Sequence, residues 1–211
     1  MIRIALTGGI AAGKSTVAHL FAQKNIPIVD TDVLAREVVQ PGSKLLAEIA
    51  QQFGSDLIDP HGQLDRAQLR TLIFQFPEKR KALEALLHPA IWHLATQKIS
   101  VLESSSNAAP YLILVVPLLV ETASPDRADS ILTVETDLPL QLQRLMARDA
   151  ISEPEAQAML AAQASSEQRI SIANNVIHNQ GNLGELQQQV DQLHEQFLHL
   201  ASIPPTRQTR S

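Results

Sequence analysis

The chain has 211 residues, 17 Lys+Arg against 22 Asp+Glu for a net charge of −5, and no cysteine, which excludes disulfides, cysteine-type zinc sites and a thiol nucleophile. An apolar fraction of 45% supports a buried core and excludes a disordered chain, and at about 150 residues per domain the length suits one large domain or a core carrying insertions. Aromatics make up only 3% and the charge is mildly acidic, so neither a base-stacking platform nor a phosphate-backbone surface is expected, and nucleic acid is not an expected partner.

In chain order, residues 2–6 (Ile-Arg-Ile-Ala-Leu) form a short β-branched run that leads into a glycine-rich turn and then a helical pattern over 14–24. Asn25 ends that helix, and Ile26-Pro27-Ile28-Val29 reads as a second strand stopped by Asp30, with a helix starting near Val33. Residues 64–102 are helical in pattern, punctuated by Pro77 and by His88-Pro89, where a helix is expected to end. Residues 111–116 are nearly all apolar, as in a parallel strand buried on both faces. Residues 131–134 and 176–177 are shorter strand candidates, and 138–171 is again helical and rich in Ala, Gln and Arg. The spaced Leu and Val positions over 183–200 mark a packing helix. This alternation predicts an α/β fold with a parallel sheet flanked by helices.

The longest apolar run, 111–120, contains Pro117 and falls well short of the roughly 20 residues a membrane-spanning helix needs. With no targeting segment evident at the start of the sequence, the expectation is a cytoplasmic protein with no membrane partner, acting as a monomer. The polar stretch 204–211, with two prolines and two arginines, is expected to be a flexible tail.

The strongest chemical signal is Gly8-Gly9-Ile10-Ala11-Ala12-Gly13-Lys14-Ser15, a match to G-x-x-x-x-G-K-[ST] set between a strand and a helix. Small residues let successive backbone N–H groups turn inward around a phosphate, and the following helix points its positive end at the same anion. A lysine at position 14 then reaches the β- and γ-phosphates, and the Ser15 hydroxyl is the expected Mg²⁺ ligand. The chain is therefore expected to bind a nucleoside triphosphate. A guanine-reading Asn-Lys-x-Asp tetrad is absent, and the 111–116 strand runs into Pro117 where a motor ATPase places an aspartate. Both features favour small-molecule phosphoryl transfer over a switch or a motor.

Asp30 and Asp32 follow the second strand directly. If the extended conformation continues that far they face the same way, and strand ends of a parallel sheet face the ligand crevice. A carboxylate there suits an alcohol acceptor, whose hydroxyl needs orientation and whose proton needs an acceptor. The alternative for either residue is a helix cap. Arg144 and Arg148, spaced i, i+4, share one helix face and fit an anion between them; the alternative is an exposed pair neutralised by Asp149 or Glu153. The run Lys79-Arg80-Lys81, flanked by Glu78 and Glu84, reads as a solvated face. His88 on its own reads as structural, and Glu121 either anchors an acceptor or caps a segment.

Taken together, Thr7-Gly8-Gly9-Ile10, Gly13-Lys14-Ser15-Thr16, Asp30-x-Asp32-x-x-Ala35-Arg36, Leu64-Asp65-Arg66, Leu69-Arg70, Ile73-Phe74, Leu87-His88-Pro89-x-Ile91, Val116-Pro117-Leu118-Leu119-x-Glu121, Gln143-Arg144, Arg148-Asp149 and Val176-Ile177-x-Asn179-x-Gly181 resemble the dephospho-CoA kinase family in order and spacing. The resemblance runs from Met1 to about Leu200. It implies MgATP-dependent phosphorylation of the ribose 3′-hydroxyl of dephospho-CoA, the last step of coenzyme A synthesis, on a P-loop kinase fold. It further implies a discontinuous nucleotide-binding core over 1–63, 110–137 and 172–203, a helical CoA-binding insertion over 64–109 and a lid over 138–171.

On the same analogy Asp32 is the base, across a crevice from Lys14, and Lys14, Arg144 and Arg148 act with it in catalysis. ATP is met by Gly9, Ile10, Ala11, Ala12, Gly13, Lys14, Ser15, Thr16 and Asn179. The acceptor is met by Thr7, Asp30, Asp32, Arg36, Arg66, Arg70, His88 and Glu121. Two departures stand out: Ala11 replaces a frequent glycine, an exchange compatible with a negative φ, and Asn174 replaces a frequent aspartate. The rival readings are a kinase for another small metabolite or a nucleoside monophosphate, and a nucleotide-dependent switch.

Overall fold

The five apolar runs become five strands: β1 (Ile2–Gly8), β2 (Ile28–Asp30), β3 (Tyr111–Val115), β4 (Ser130–Glu135) and β5 (Asn175–His178). The structure is a computed structural model that describes residues 1–122 and 125–203; the expected tail over 204–211 lies outside them. The sheet order is β2-β3-β1-β4-β5. β1 is central and pairs in parallel with β3 (Ile4 opposite Ile113) and with β4 (Leu6 opposite Leu132), and β4 pairs in parallel with β5 (Val134 opposite Ile177). β3 and β4 are buried along their whole length; β3 accordingly runs apolar without alternation, whereas β4 also buries the polar Ser130, Thr133 and Glu135.

Nine helices follow among the described residues: α1 (Lys14–Gln23), α2 (Thr31–Glu37), α3 (Lys44–Phe53), α4 (Arg66–Gln75), α5 (Pro77–Glu103), α6 (Leu138–Asp149), α7 (Glu153–Ala161), α8 (Ser166–Ile172) and α9 (Leu183–Ser202). No described helix is long and apolar enough to cross a membrane. By their contacts the residues form two compact units, Met1–Val29 with the described residues from Leu102 onward, and Asp30–Val101.

In the first unit α1 and α9 pack on the sheet. The α9 stripe buries Leu186, Val190, Leu193 and Phe197, at the i, i+4, i+7, i+11 spacing of one helix face. Its core joins Ile4, Leu6, Val17, Phe21, Tyr111, Ile113, Leu132, Val134 and Ile177 to that stripe. Three of the few aromatics meet there, with Tyr111 edge-on to Phe21 at 6.3 Å and to Phe197 at 5.5 Å between ring centroids. The buried Tyr111 hydroxyl shares a 2.6 Å hydrogen bond with His194 Nδ1, so it is not stranded in the core. Asn174, the second sequence departure, accepts a bond from the Ile131 N–H at 2.8 Å and thereby ties the entry of β5 to β4.

In the second unit Val39, Leu46, Ile49, Leu57, Leu69 and Leu83 form a separate core. This core draws residues 30–63 together with α4 and α5, because the apolar face of α3 is buried against them. Ser43 caps α3 through the Leu46 N–H, and Asp65 caps α4 through the N–H groups of Ala67 and Gln68.

Two local expectations are corrected. The chain does not end a helix at His88: α5 runs through Pro89 for 27 residues. Pro89 removes the bond to the Ala85 carbonyl, at a cost of about 3 kcal/mol; the buried Leu83, Ala95 and Ile99 on either side anchor both halves and offset it. The helix after β2 begins at Thr31 instead of near Val33, because Asp30 caps it and leaves no extended residues between strand and helix.

Candidate active site

The glycine-rich loop lies between β1 and α1, as the strand–turn–helix pattern predicts. Gly13 occupies the N-cap of α1 at φ 101, a left-handed conformation open to glycine at little cost. A Cβ there would collide with the Asn179 side-chain amide. The first-turn N–H groups of a helix point toward its N-terminal end, where an anion can meet them. Lys14 Nζ donates to the Gly8 and Gly9 carbonyls at 2.9 Å each, which sets the ammonium beside the loop mouth. Ser15 and Thr16 are exposed on the first turn of α1.

Ala11 overturns the expectation of a negative φ: it sits at φ 57. For an L-residue this left-handed conformation costs about 1–2 kcal/mol, and surrounding bonds must hold it. Those bonds come from three side-chain amides. Gln163 Oε1 accepts from the Ile10 N–H at 2.8 Å, Gln141 Nε2 donates to the Ile10 carbonyl at 2.6 Å, and Asn179 Nδ2 donates to the Ala12 carbonyl at 2.8 Å. The Ala12 N–H is turned inward to the Gly9 carbonyl at 3.2 Å. The N–H groups of Ile10 and Ala12 therefore brace the loop, and the N-terminal end of α1 lies next to it.

Behind the loop lies a buried ion pair. Arg169 on α8 donates from Nε and Nη2 to Glu135 at the end of β4, at 2.7 and 2.6 Å, and from Nη1 to the Ala164 carbonyl at 2.6 Å. Burial pushes the Glu135 carboxyl up, but hydrogen bonds from Arg169, Ser166 and Thr133 outweigh it and hold the group below its ordinary value. Gly9 packs against this layer: a Cβ there would meet Gln141 and Arg169. No motif pointed to Gln141, Gln163, Glu135 or Arg169. The only sequence signal was the Gln-rich character of 138–171.

A pocket of about 290 Å³ opens beside the loop, lined by Ala11, Gly13, Thr16, Arg144, Asn179, Gly181, Leu183 and Leu186. Arg144 donates to the Asn179 carbonyl at 3.1 Å, so it is oriented by the same residue that holds Ala12. Arg148 does not share this setting. It is exposed and bound through Nε and Nη2 to Asp149 at 2.7 and 2.8 Å, with its pKa raised chiefly by that hydrogen bond. For Arg148 the structure shows the contact with Asp149 that the alternative reading anticipates. Thr7 is buried in β1, with its hydroxyl turned to the Pro117 carbonyl at 3.4 Å. Glu121 accepts from the Ala164 N–H at 2.8 Å, on the turn that carries Gln163.

The second unit holds the other candidates. Asp30 is the N-cap of α2 and accepts from the Asp32 N–H at 2.8 Å. The capping alternative thus holds for Asp30, and the same-face argument for the pair fails because Asp32 is already helical. Asp32 is exposed in the first turn. Arg36 lies in the last turn of α2, and Arg66 and Arg70 lie one turn apart on α4, all exposed. Loss of hydration and then the neighbouring Arg36 charge lower the Arg66 pKa, so these two guanidiniums are close enough to repel. His88 is exposed in the middle of α5.

Among the described residues no group of three or more His, Asp or Glu side chains could hold a metal ion. A single hydroxyl, Ser15, at a phosphate loop nonetheless fits Mg²⁺ carried by a triphosphate, since this ion takes most of its ligands from phosphate oxygens and water.

The dephospho-CoA kinase family model matches residues 2–185. Proteins named dephospho-CoA kinase from Sodalis glossinidius and Vibrio vulnificus are 43% identical over 208 residues and 45% identical over 199. These alignments cover 99% and 94% of this chain, and 97% and 96% of the relatives. Among solved structures, TT1252 from Thermus thermophilus is similar with a TM-score of 0.80 and 34% identity, over 92% of this chain and 97% of that one. A dephospho-CoA kinase from Campylobacter jejuni shares the fold with a TM-score of 0.70 at 23% identity, over 93% of this chain and 97% of that one. The family match begins in β1, spans the phosphate loop and ends in α9, and the chain belongs to the dephospho-CoA kinase family of P-loop kinases.

Proposed function

We propose that this enzyme transfers the γ-phosphoryl group of ATP to the ribose 3′-hydroxyl of dephospho-CoA, giving CoA and ADP. The observation that carries the reading is the braced Gly8–Ser15 loop, with Lys14 set at its mouth, in a chain that matches the family over residues 2–185. The triphosphate lies against the N–H groups of Gly13, Lys14, Ser15 and Thr16, and the nucleoside end occupies the adjoining pocket beside Asn179 and Leu183. Magnesium held by Ser15 and the phosphates would neutralise charge on the β- and γ-oxygens.

Asp32 accepts the proton of the 3′-hydroxyl as that oxygen bonds to the γ-phosphorus and the bond to the ADP oxygen breaks. Its exposure in the first turn of α2 supports the role, as does Asp30, which does the capping in its place. Arg144 stabilises charge on the transferring group, since it lines the pocket with Ala11 and Gly13. Arg36, Arg66, Arg70 and His88 bind the acceptor. The mutual repulsion of Arg36 and Arg66 is relieved by an anionic group, and dephospho-CoA carries a pyrophosphate. Segment 64–109 is then the CoA-binding insertion and 138–171 the lid.

The test is ADP release with dephospho-CoA, nucleoside monophosphates and sugars as acceptors, with the site of phosphorylation located by phosphorus–proton coupling in the NMR spectrum of the product. Release with dephospho-CoA and a phosphate on the 3′-oxygen is expected. Preferred turnover of another acceptor, or a phosphate elsewhere on the ribose, overturns the proposal.

A further inference from the structure

Ala11 is bracketed on both sides. Before it, the Ile10 N–H bonds to Gln163 Oε1 at 2.8 Å and the Ile10 carbonyl accepts from Gln141 Nε2 at 2.6 Å. After it, the Ala12 N–H bonds to the Gly9 carbonyl and the Ala12 carbonyl accepts from Asn179. The Ile10 carbonyl belongs to the peptide plane that ends at the Ala11 nitrogen, so fixing it fixes the plane from which φ of Ala11 is measured. That φ is 57, a value an alanine does not hold without outside constraint.

We propose that Gln141 and Gln163 are positioning residues of the nucleotide site, holding the two peptide units on either side of the Ile10 Cα so that the loop keeps its ATP-binding shape with an alanine in a left-handed position. The inference rests on the assignment of this loop to the ATP phosphates.

Neither glutamine is an incidental surface contact. Gln141 is buried on the core face of α6 beside Leu145, where an apolar side chain would be the ordinary occupant and a buried amide is tolerated because it is hydrogen-bonded. Gln163 sits on a turn that is itself moored. Its neighbour Ala164 gives its N–H to Glu121 and its carbonyl to Arg169, and Arg169 is held by Glu135. The acceptor oxygen is thus presented to Ile10 from a turn tied to Glu121 and Arg169. A loop held in its binding-competent shape binds ATP with its full intrinsic affinity, whereas one that samples other shapes binds in proportion to its competent fraction.

The experiment compares the wild type, Gln163→Ala, Gln141→Leu, Ala11→Gly and the two glutamine variants in the Ala11→Gly background. Dissociation constants for MgATP are measured by calorimetry, with kcat, KM for each substrate and the thermal midpoint. Loss of one hydrogen bond should raise Kd and KM for ATP roughly three- to tenfold in each glutamine variant, with KM for dephospho-CoA unchanged. In the Ala11→Gly background the same substitutions should cost less than about twofold, because glycine adopts the left-handed conformation without steric penalty.

A folded Gln163→Ala enzyme with wild-type ATP affinity overturns the inference, and so does an equal penalty in both backgrounds. If Gln141→Leu does not fold, Gln163→Ala, which leaves the core of α6 intact, decides alone. A wild-type protein that binds no ATP overturns the nucleotide assignment and the inference with it; ATP binding with no transfer to dephospho-CoA overturns only the acceptor.

Discussion

Arg169 and Glu135 face each other through two hydrogen bonds of 2.6 and 2.7 Å, both side chains less than a tenth exposed, directly behind the phosphate loop. Removing one partner of such a pair leaves an uncompensated buried charge. Glu135→Gln should therefore destabilise the protein by about 3–5 kcal/mol near neutral pH, read by urea unfolding. Because the folded-state pKa of Glu135 is lowered, the stability it contributes is present above the unfolded value of about 4.5 and is lost as pH falls through the lower folded value. The gap between wild type and variant should thus close below that pH. A variant as stable as wild type at pH 7, or a gap that widens in acid, contradicts the assignment.

Lys14→Ala should abolish turnover while leaving the far-ultraviolet circular dichroism unchanged. The ammonium donates to the Gly8 and Gly9 carbonyls of the loop and belongs to neither hydrophobic core, so its removal should leave the helices and sheet in place, while the charge it brings to the β- and γ-phosphates is lost entirely. Wild-type ADP release from a folded variant would remove the loop from the mechanism.

Asp30 and Asp32 separate by role. Asp30→Asn keeps an acceptor for the Asp32 N–H and should change stability and turnover little, whereas Asp30→Ala should cost α2 about 1 kcal/mol as a lost cap. Asp32→Asn leaves the cap in place and removes the proton acceptor, so kcat should fall about 10²–10⁴-fold with ATP affinity nearly unchanged. A near-normal kcat in Asp32→Asn moves the base to another residue.

The two arginines of α6 should likewise part. Arg144 lines the pocket beside the loop, and Arg144→Gln should lower kcat on the order of 10³-fold if it meets the transferring phosphoryl group as an arginine finger does. Arg148 is engaged by Asp149, and Arg148→Gln should lower kcat by a smaller factor. Steady-state kinetics of the two single variants decide this, and equal losses would mean that Arg148 leaves Asp149 during the reaction.

Much of this protein is local pattern. The apolar run that became β3, the strand–glycine–helix spacing around Gly13 and Lys14, and the Leu186–Phe197 stripe of α9 all reflect burial or geometry repeated within a few residues. Short-range periodicity of that kind is legible without a fold. That Asp30 is the cap is not legible in spacing, because Asp30 and Asp32 carry the same capping carboxylate and the outcome depends on where β2 releases the chain. His88-Pro89 signalled a helix end, yet packing on both sides of Pro89 carried α5 through. The loop shows the limit most clearly. Its spacing announced a phosphate site, but the left-handed Ala11 is held by Gln141 and Gln163, 131 and 153 residues away from Ile10 in the chain. Hydrogen bonds across such separations have no signature in sequence spacing, since only the assembled sheet and the helices and turns packed beside it bring donor and acceptor within 3 Å.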